Sequence, residues 1–196
     1  MSVSYPPSVR LITEEHEPRA VSNGVLGMLL FVITEIMFFA GMISAFSIVR
    51  ASSAIWPPPD QPRLPLEETA LNTVALLVSG ALLIWTQRRF AEDRQSARVP
   101  LIASIALGTF FVAFQGFEWA SMLAQGLTLT SSTMGSFFYL IVGMHGLHAI
   151  VAIGFLLRIW RRFERGWLQP SQLASAAVFW YFVVAAWPVI YWQVYL

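Results

Sequence analysis

Five long apolar runs, parted by short polar stretches, dominate the chain. They extend over about Gly24 to Val49, Thr69 to Gln87, Pro100 to Ala124, Ser132 to Ile159 and Gln172 to Tyr195. Each reaches or approaches the roughly 20 residues that cross about 30 Å of hydrocarbon as a helix. None alternates with a period of two, so the runs predict helices and not barrel strands. The expected architecture is an all-α integral membrane protein. It has five transmembrane helices at about 24–49, 69–87, 100–124, 132–159 and 172–195, forming one membrane domain over residues 22–196. Residues 1–21 lack an apolar core and carry Glu14, Glu15 and Glu17. They are expected to be a short cytoplasmic arm and not a cleavable signal.

Composition agrees with this pattern. Of 196 residues, 57% are hydrophobic and 12% charged, with no cysteine. That excludes a disulfide framework and any thiolate metal or Fe–S site. All basic residues are arginine, and they form no patch suited to nucleic acid, so no nucleic-acid partner is expected. The arginines do set a topology. Arg88, Arg89, Arg94 and Arg98 flank the second connection, and Arg158, Arg161, Arg162 and Arg165 flank the fourth. With five spans these fall on the same side as Arg10 and Arg19, leaving Arg50 and Arg63 opposite. Excess arginine marks the cytoplasm, which predicts an N-terminus inside and a C-terminus outside. The proline-rich stretch Trp56-Pro57-Pro58-Pro59-Asp60-Gln61-Pro62 is expected to form a stiff non-helical loop on the outer side.

Ionisable groups within the apolar runs are the candidates for chemistry, because a charge in hydrocarbon is costly without a partner or a role. Gly143-Met144-His145-Gly146-Leu147-His148 places two histidines at i and i+3, on one face of the fourth span. Glu35 lies eleven residues after Gly24, about 16 Å into the first span at 1.5 Å per residue. It reads either as a proton-exchanging carboxyl or as a hydrogen-bonded group that fixes helix packing. Glu118 has Gln115 and Trp119 as nearby polar candidates, and its simplest reading is a satisfied structural carboxyl.

His145 and His148 read better as hydrogen-bonding groups than as metal or haem ligands. A helical di-metal site needs Glu-x-x-His pairs that the spans lack, and two histidines one turn apart cannot ligate opposite faces of one haem. Glu35 is the prime candidate partner, and Gly143 and Gly146, with Gly135 and Gly154, would let a neighbouring backbone approach. Asn72 reads as a hydrogen bond at the helix start or between helices. Trp85, Trp119, Trp160, Trp167, Trp187, Trp192 and Tyr195 cluster toward span ends, where an aromatic belt accounts for most of them. Phe31, Phe38, Phe39 and Phe46 suit lipid or helix contacts.

Taken together, these stretches resemble subunit III of the haem–copper oxidases. The likeness is carried by Gly27 to Phe39 around Glu35, by Leu71-Asn72-Thr73 with Leu77-Val78-Ser79-Gly80, and by Gln115-Gly116-Phe117-Glu118-Trp119. Gly135-Ser136-Phe137-Phe138-Tyr139 followed by Gly143 to His148 adds the closest match. It extends over about residues 22–195 and is similar to the short bacterial form with five helices. The resemblance implies a two-helix bundle (the first two spans) and a three-helix bundle forming a V-shaped cleft with bound phospholipid. It implies a non-catalytic subunit of a proton-pumping terminal oxidase, cytochrome c oxidase first, in the bacterial inner membrane. That subunit packs on subunit I, in a complex that also holds subunit II, and supports proton uptake. No cofactor is expected on this chain; haem and copper belong to partner subunits.

In the last span the family often reads Trp-His-Phe-Val-Asp, whereas this chain has Trp180-Tyr181-Phe182-Val183-Val184. Polar contacts of that histidine and aspartate would be lost or rerouted through Tyr181. Glu35, His145, His148 and Glu118 are thus the expected buried, proton-linked set. Asn72, Gln115 and Tyr181 are the packing groups, and Arg88, Arg89 and Trp85 the lipid-headgroup candidates. The alternatives are an accessory subunit of a nitric oxide reductase or quinol oxidase, a stand-alone proton-coupled carrier, and a haem-binding quinol-oxidising subunit.

Overall fold

A computed structural model describes residues 22–56 and 66–195. Arg10, Arg19, Arg63 and Pro57 to Pro62 lie outside the described residues. Five helices long and apolar enough to cross a membrane are present: α1 (Asn23–Ser52), α2 (Leu66–Glu92), α3 (Arg98–Ala124), α4 (Thr133–Glu164) and α5 (Pro170–Ile190). No strand occurs among the described residues. The helices outrun the apolar runs at several ends, where they carry polar caps and arginines.

Local chemistry sets those ends. Ser22 and Ser132 accept hydrogen bonds from the backbone N–H groups of Val25 and Gly135, capping α1 and α4. Pro170 opens α5 at a position where its missing N–H is not needed. Gly126 and Gly166 take φ values of 93° and 78° directly after α3 and α4. There the N–H of Leu127 returns to the carbonyl of Met122 at 3.0 Å, and that of Trp167 to Arg162 at 2.9 Å, satisfying carbonyls that the helix leaves open. At its far end α5 widens into a π-helical turn, Tyr191–Tyr195, just after Pro188. Proline lacks the donor that a regular turn needs.

The grouping of the helices differs from the expected two-plus-three division. α2 makes its most extensive contact with α3, whereas α1 lies on α5 and, to a lesser degree, on α4. Small residues explain the α2–α3 pair. Ser79 Oγ donates to the Ser104 carbonyl at 2.7 Å, and Ser104 Oγ to the Ser79 carbonyl at 2.8 Å, a reciprocal clasp that needs close backbones. α5 is the common neighbour of α1, α2 and α4. A groove of about 460 Å³ opens between α1 and α5, lined by Val32, Ile36, Phe39, Phe182 and Val189.

The seat of α5 depends on two glycines. A Cβ on Gly108 of α3 would lie 2.6 Å from the Trp180 ring, and one on Gly80 of α2 would lie 2.9 Å from Val184 Cγ1. Val184 thus sits as an apolar knob over Gly80. The glycines of α4 act otherwise. At Gly143 and Gly146 a Cβ would meet only the Trp119 ring, at 3.5 and 3.6 Å, and at Gly154 it would meet nothing within 4 Å. No backbone comes close at those three, contrary to expectation; at Gly135 the Thr128 carbonyl does.

Both basic connections lie at one end. Arg94 donates to the Phe163 carbonyl at 3.3 Å and covers the Phe90 and Phe163 rings, and Arg98 pairs with Glu164 at 2.9 Å. At the other end Arg50 donates to the Gln193 carbonyl, and Tyr191 to that of Leu66. The four phenylalanines of α1 divide: Phe39 and Phe46 are buried, whereas Phe31 and Phe38 are exposed.

Gly108→Leu should overpack the α3–α5 contact and destabilise by about 1–3 kcal/mol or more, read as a lower melting temperature in detergent. Gly154→Ala, with open space around it, should melt no lower than the parent.

Candidate functional site

α1 and α4 bring Glu35 and His148 together. The His148 Nε2 to Glu35 Oε2 distance is 3.0 Å, and His148 Nδ1 lies 2.6 Å from the Met144 carbonyl one turn earlier. A carbonyl can only accept, so Nδ1 carries a proton and donates it. That assignment fixes the other side of the ring. Either Nε2 accepts from a protonated Glu35, or a fully protonated imidazole donates to the carboxylate. In both arrangements the pair holds two protons and no net charge, the form suited to hydrocarbon. Phe39, Phe179 and Phe182 surround the His148 ring at centroid distances of 5.4, 6.1 and 6.1 Å. The Glu35 side chain remains 18% exposed, against 10% for His148, so the pair sits at the edge of the bundle and not at its centre.

A second polar cluster lies where α2, α3 and the end of α5 meet. Thr69 Oγ1 lies 3.2 and 3.0 Å from the two carboxyl oxygens of Glu118, and Gln115 Nε2 donates to Glu118 Oε2 at 3.0 Å. The same Nε2 lies 3.1 Å from the Tyr195 hydroxyl. Glu118 is thus held from two neighbouring groups, with Gln115 as expected. Trp119, the other expected partner, does not take part: its Nε1 has no hydrogen-bond partner among the described residues.

His145 does not join Glu35. It is 1% exposed, stacks on Trp187 at 4.9 Å, and faces Phe39 and Phe111. Both of its ring nitrogens lack a partner within the described residues. Asn72 makes the interhelical bond, donating to the Phe111 carbonyl at 3.1 Å. Tyr181 donates to Gln87 Oε1 at 2.6 Å, tying α5 to α2. Arg88, Arg89 and Trp85 are exposed at the basic end, with the Arg89 guanidinium 5.6 Å from the Trp85 ring centre. Among the described residues no three His, Asp or Glu side chains gather as metal ligands.

Two aromatic residues assigned to a membrane belt are core residues instead. Trp187 is fully buried and donates Nε1–H to Thr73 Oγ1 at 2.8 Å, and Tyr195 is buried against Gln115, Trp187 and Phe138. Trp85, Trp167 and Trp192 are exposed, as a belt requires. Sequence reasoning also missed Thr69 and Gln87. Thr69 and Thr73 share one face at i and i+4 at the start of the second span, a signal that was available. The approach of Tyr195 depends on the π turn; Pro188 signals a break in the helix there, but not that the chain continues toward Gln115.

Comparison with known proteins gives one family. Residues 11–196 match the family described as Cytochrome c oxidase subunit III. The chain is 33% identical over 190 residues to a protein of Pelomedusa subrufa named "Cytochrome c oxidase subunit 3", a match over 92% of this chain and 72% of the relative. Proteins of the same name from Ovis aries and Tachyglossus aculeatus aculeatus are 32% and 31% identical over 191 residues, with the same coverage. With its five membrane-length helices, its motif residues held between those helices and a match across nearly all of its length, the chain belongs to the cytochrome c oxidase subunit III family.

Proposed function

We propose that this chain serves as subunit III of a haem–copper terminal oxidase that takes electrons from cytochrome c. Family membership over residues 11–196 carries the proposal. The chain contributes no redox centre. It packs against subunit I in a complex with subunit II, and those partners hold the haem and copper. Oxygen is reduced to water on them while this chain supports proton uptake and stabilises the catalytic subunit.

The Glu35–His148 pair supports the proton-linked part of this reading. It joins two helices at the bundle edge, its carboxyl side chain is partly exposed, and it holds one proton between two atoms 3.0 Å apart in a net-neutral form that release of the proton would leave negative. Glu118 is enclosed by Thr69 and Gln115 and acts as a structural group. The basic connections sharing one end support a bacterial inner-membrane orientation with that end, and the N-terminus, in the cytoplasm. Arg88, Arg89 and Trp85 at that end suit phospholipid headgroups.

Isolation of the chain in gentle detergent, with a reduced-minus-oxidised spectrum and identification of its partners, tests the assignment. Haem bands and a large histidine-rich membrane subunit are expected. A chain recovered without haem or partner would overturn the reading.

Glu35→Gln should leave assembly intact, because the amide N–H can donate to His148 Nε2. Glu35→Leu leaves that nitrogen without a partner and should destabilise by about 1–3 kcal/mol. Under sustained turnover Glu35→Gln, which cannot exchange the proton, should lose oxidase activity faster than the parent. Equal decay would remove the proton-linked role and leave a packing contact.

A further inference from the structure

A cavity of about 750 Å³ opens on the outer face of α4 at the basic end of the bundle. Arg158, Arg161, Arg162, Arg165 and Trp167 surround one end of it, and Gly154 and Leu157 the other. Positions 154, 158, 161 and 165 recur at helical spacing, which puts them on one face. Arg158, Arg161 and Arg165 are exposed, so their guanidiniums are open to a ligand. Arg158 and Arg162 also border a smaller crevice toward α1 and α5; Arg161, Arg165 and Trp167 do not.

The acids at this end are engaged elsewhere. Glu164, in the midst of the arginines, accepts from Arg98 through both oxygens, at 2.9 and 3.3 Å. Asp93 accepts the backbone N–H groups of Gln95 and Ser96. Among the described residues, no carboxylate pairs with Arg158, Arg161, Arg162 or Arg165. The excess of arginine on one side of a membrane accounts for the charge of the connection. It does not account for four guanidiniums around one cavity, which repel one another unless an anion lies between them.

Depth and shape specify the rest of the ligand. The apolar run ends at Ile159, so Gly154 and Leu157 lie at hydrocarbon level and Arg161, Arg165 and Trp167 beyond it. From 154 to 165 the cavity follows eleven residues, about 16 Å. Gly154 has no packing duty, since a Cβ there would meet nothing within 4 Å; its lack of a side chain leaves the apolar end open. At the basic end Gly166, at φ 78°, turns the chain back. The Trp167 ring thereby comes to 6.0 Å from the Arg165 guanidinium and is 71% exposed, as an interfacial indole is. A soluble anion or an acidic peptide would use only the basic end, whereas an amphiphile fits both. A zwitterionic head would bring its own cation among the guanidiniums, so the head carries net negative charge. Four cations match two phosphates better than one, and phosphate is the anion that the guanidinium fork binds best.

We infer that the outer face of α4 binds a glycerophospholipid with two phosphates, held by Arg158, Arg161 and Arg165 beside Trp167, with a chain lying along Leu157 and Gly154. This site is separate from Arg88, Arg89 and Trp85 on α2, none of which borders the cavity. The inference stands apart from the oxidase assignment, since it uses only the membrane crossing of α4 and the charges around the cavity.

The test uses the chain in the assembly in which it is isolated, delipidated and placed in phosphatidylcholine nanodiscs. Chain-diazirine analogues of cardiolipin, phosphatidylglycerol and phosphatidylcholine are titrated in, and labelled residues are mapped by mass spectrometry. The cardiolipin analogue should label residues 154–157 saturably and at lower concentration than the phosphatidylglycerol analogue; the phosphatidylcholine analogue should not saturate. Arg161→Gln with Arg165→Gln should raise the half-saturating cardiolipin concentration by about twenty- to thirtyfold, and high salt should raise it in the parent. Gly154→Leu, which has open space around it, should displace the chain labelling. Yield and melting temperature of the same samples separate misfolding from loss of the site. Equal saturation by phosphatidylglycerol overturns the two-phosphate head. Labelling indifferent to headgroup, or unchanged in the arginine variant at parental yield and melting temperature, overturns the site. Arginines that phenylglyoxal cannot reach in the delipidated assembly mark a protein partner on this face and overturn it as well.

Discussion

Hydrocarbon offers no hydrogen bonds, and the way this chain meets that constraint determines most of its structure. Helices satisfy the backbone within themselves, so the side chains alone must be matched between helices. Ser79 and Ser104 do so reciprocally across α2 and α3. Asn72 reaches the Phe111 carbonyl, Tyr181 reaches Gln87, and Trp187 reaches Thr73. Each bond joins two different helices, and the serine clasp, made by short side chains, demands a close approach of the two backbones. Gly80 and Gly108 supply that approach for α5. Polar matching and apolar packing therefore specify the same arrangement.

The central position of α5 follows from this. It is the last helix in the chain, yet it contacts α1, α2 and α4. α1 is attached mainly through it and through the Glu35–His148 bond to α4. The first helix is thus the least embedded, with Leu30, Ile33 and Met37 facing outward. An outward apolar face of this kind suits lipid or a partner subunit equally, in keeping with a chain that works inside a larger assembly.

The number, type and approximate limits of the helices were legible in the sequence, because hydropathy over 20 or more residues is a strong and local signal. The partners of Glu118 and Asn72 were partly legible: the residue types required a hydrogen bond, and Gln115 lay one turn away. The pairing of helices was not. The expectation that the first two would pack together failed because Ser79 and Ser104 join α2 to α3, and Gly80 and Gly108 seat α5 on that pair, through shape that hydropathy does not record. The histidines were separable only in three dimensions. Three residues apart on one helix, they meet different neighbours, a carboxyl for His148 and an indole face for His145.

The neutrality of the Glu35–His148 pair bears on how it would respond to an energised membrane. Carrying one charge across the full hydrocarbon thickness against 100 mV involves about 2.3 kcal/mol. A proton passing between Glu35 Oε2 and His148 Nε2 travels no more than their 3.0 Å separation. That is about a tenth of the roughly 30 Å core, so the same voltage biases the transfer by only about 0.2 kcal/mol even if the step runs along the membrane normal. The position of this proton is therefore governed by the residues around the pair and is nearly blind to the membrane potential.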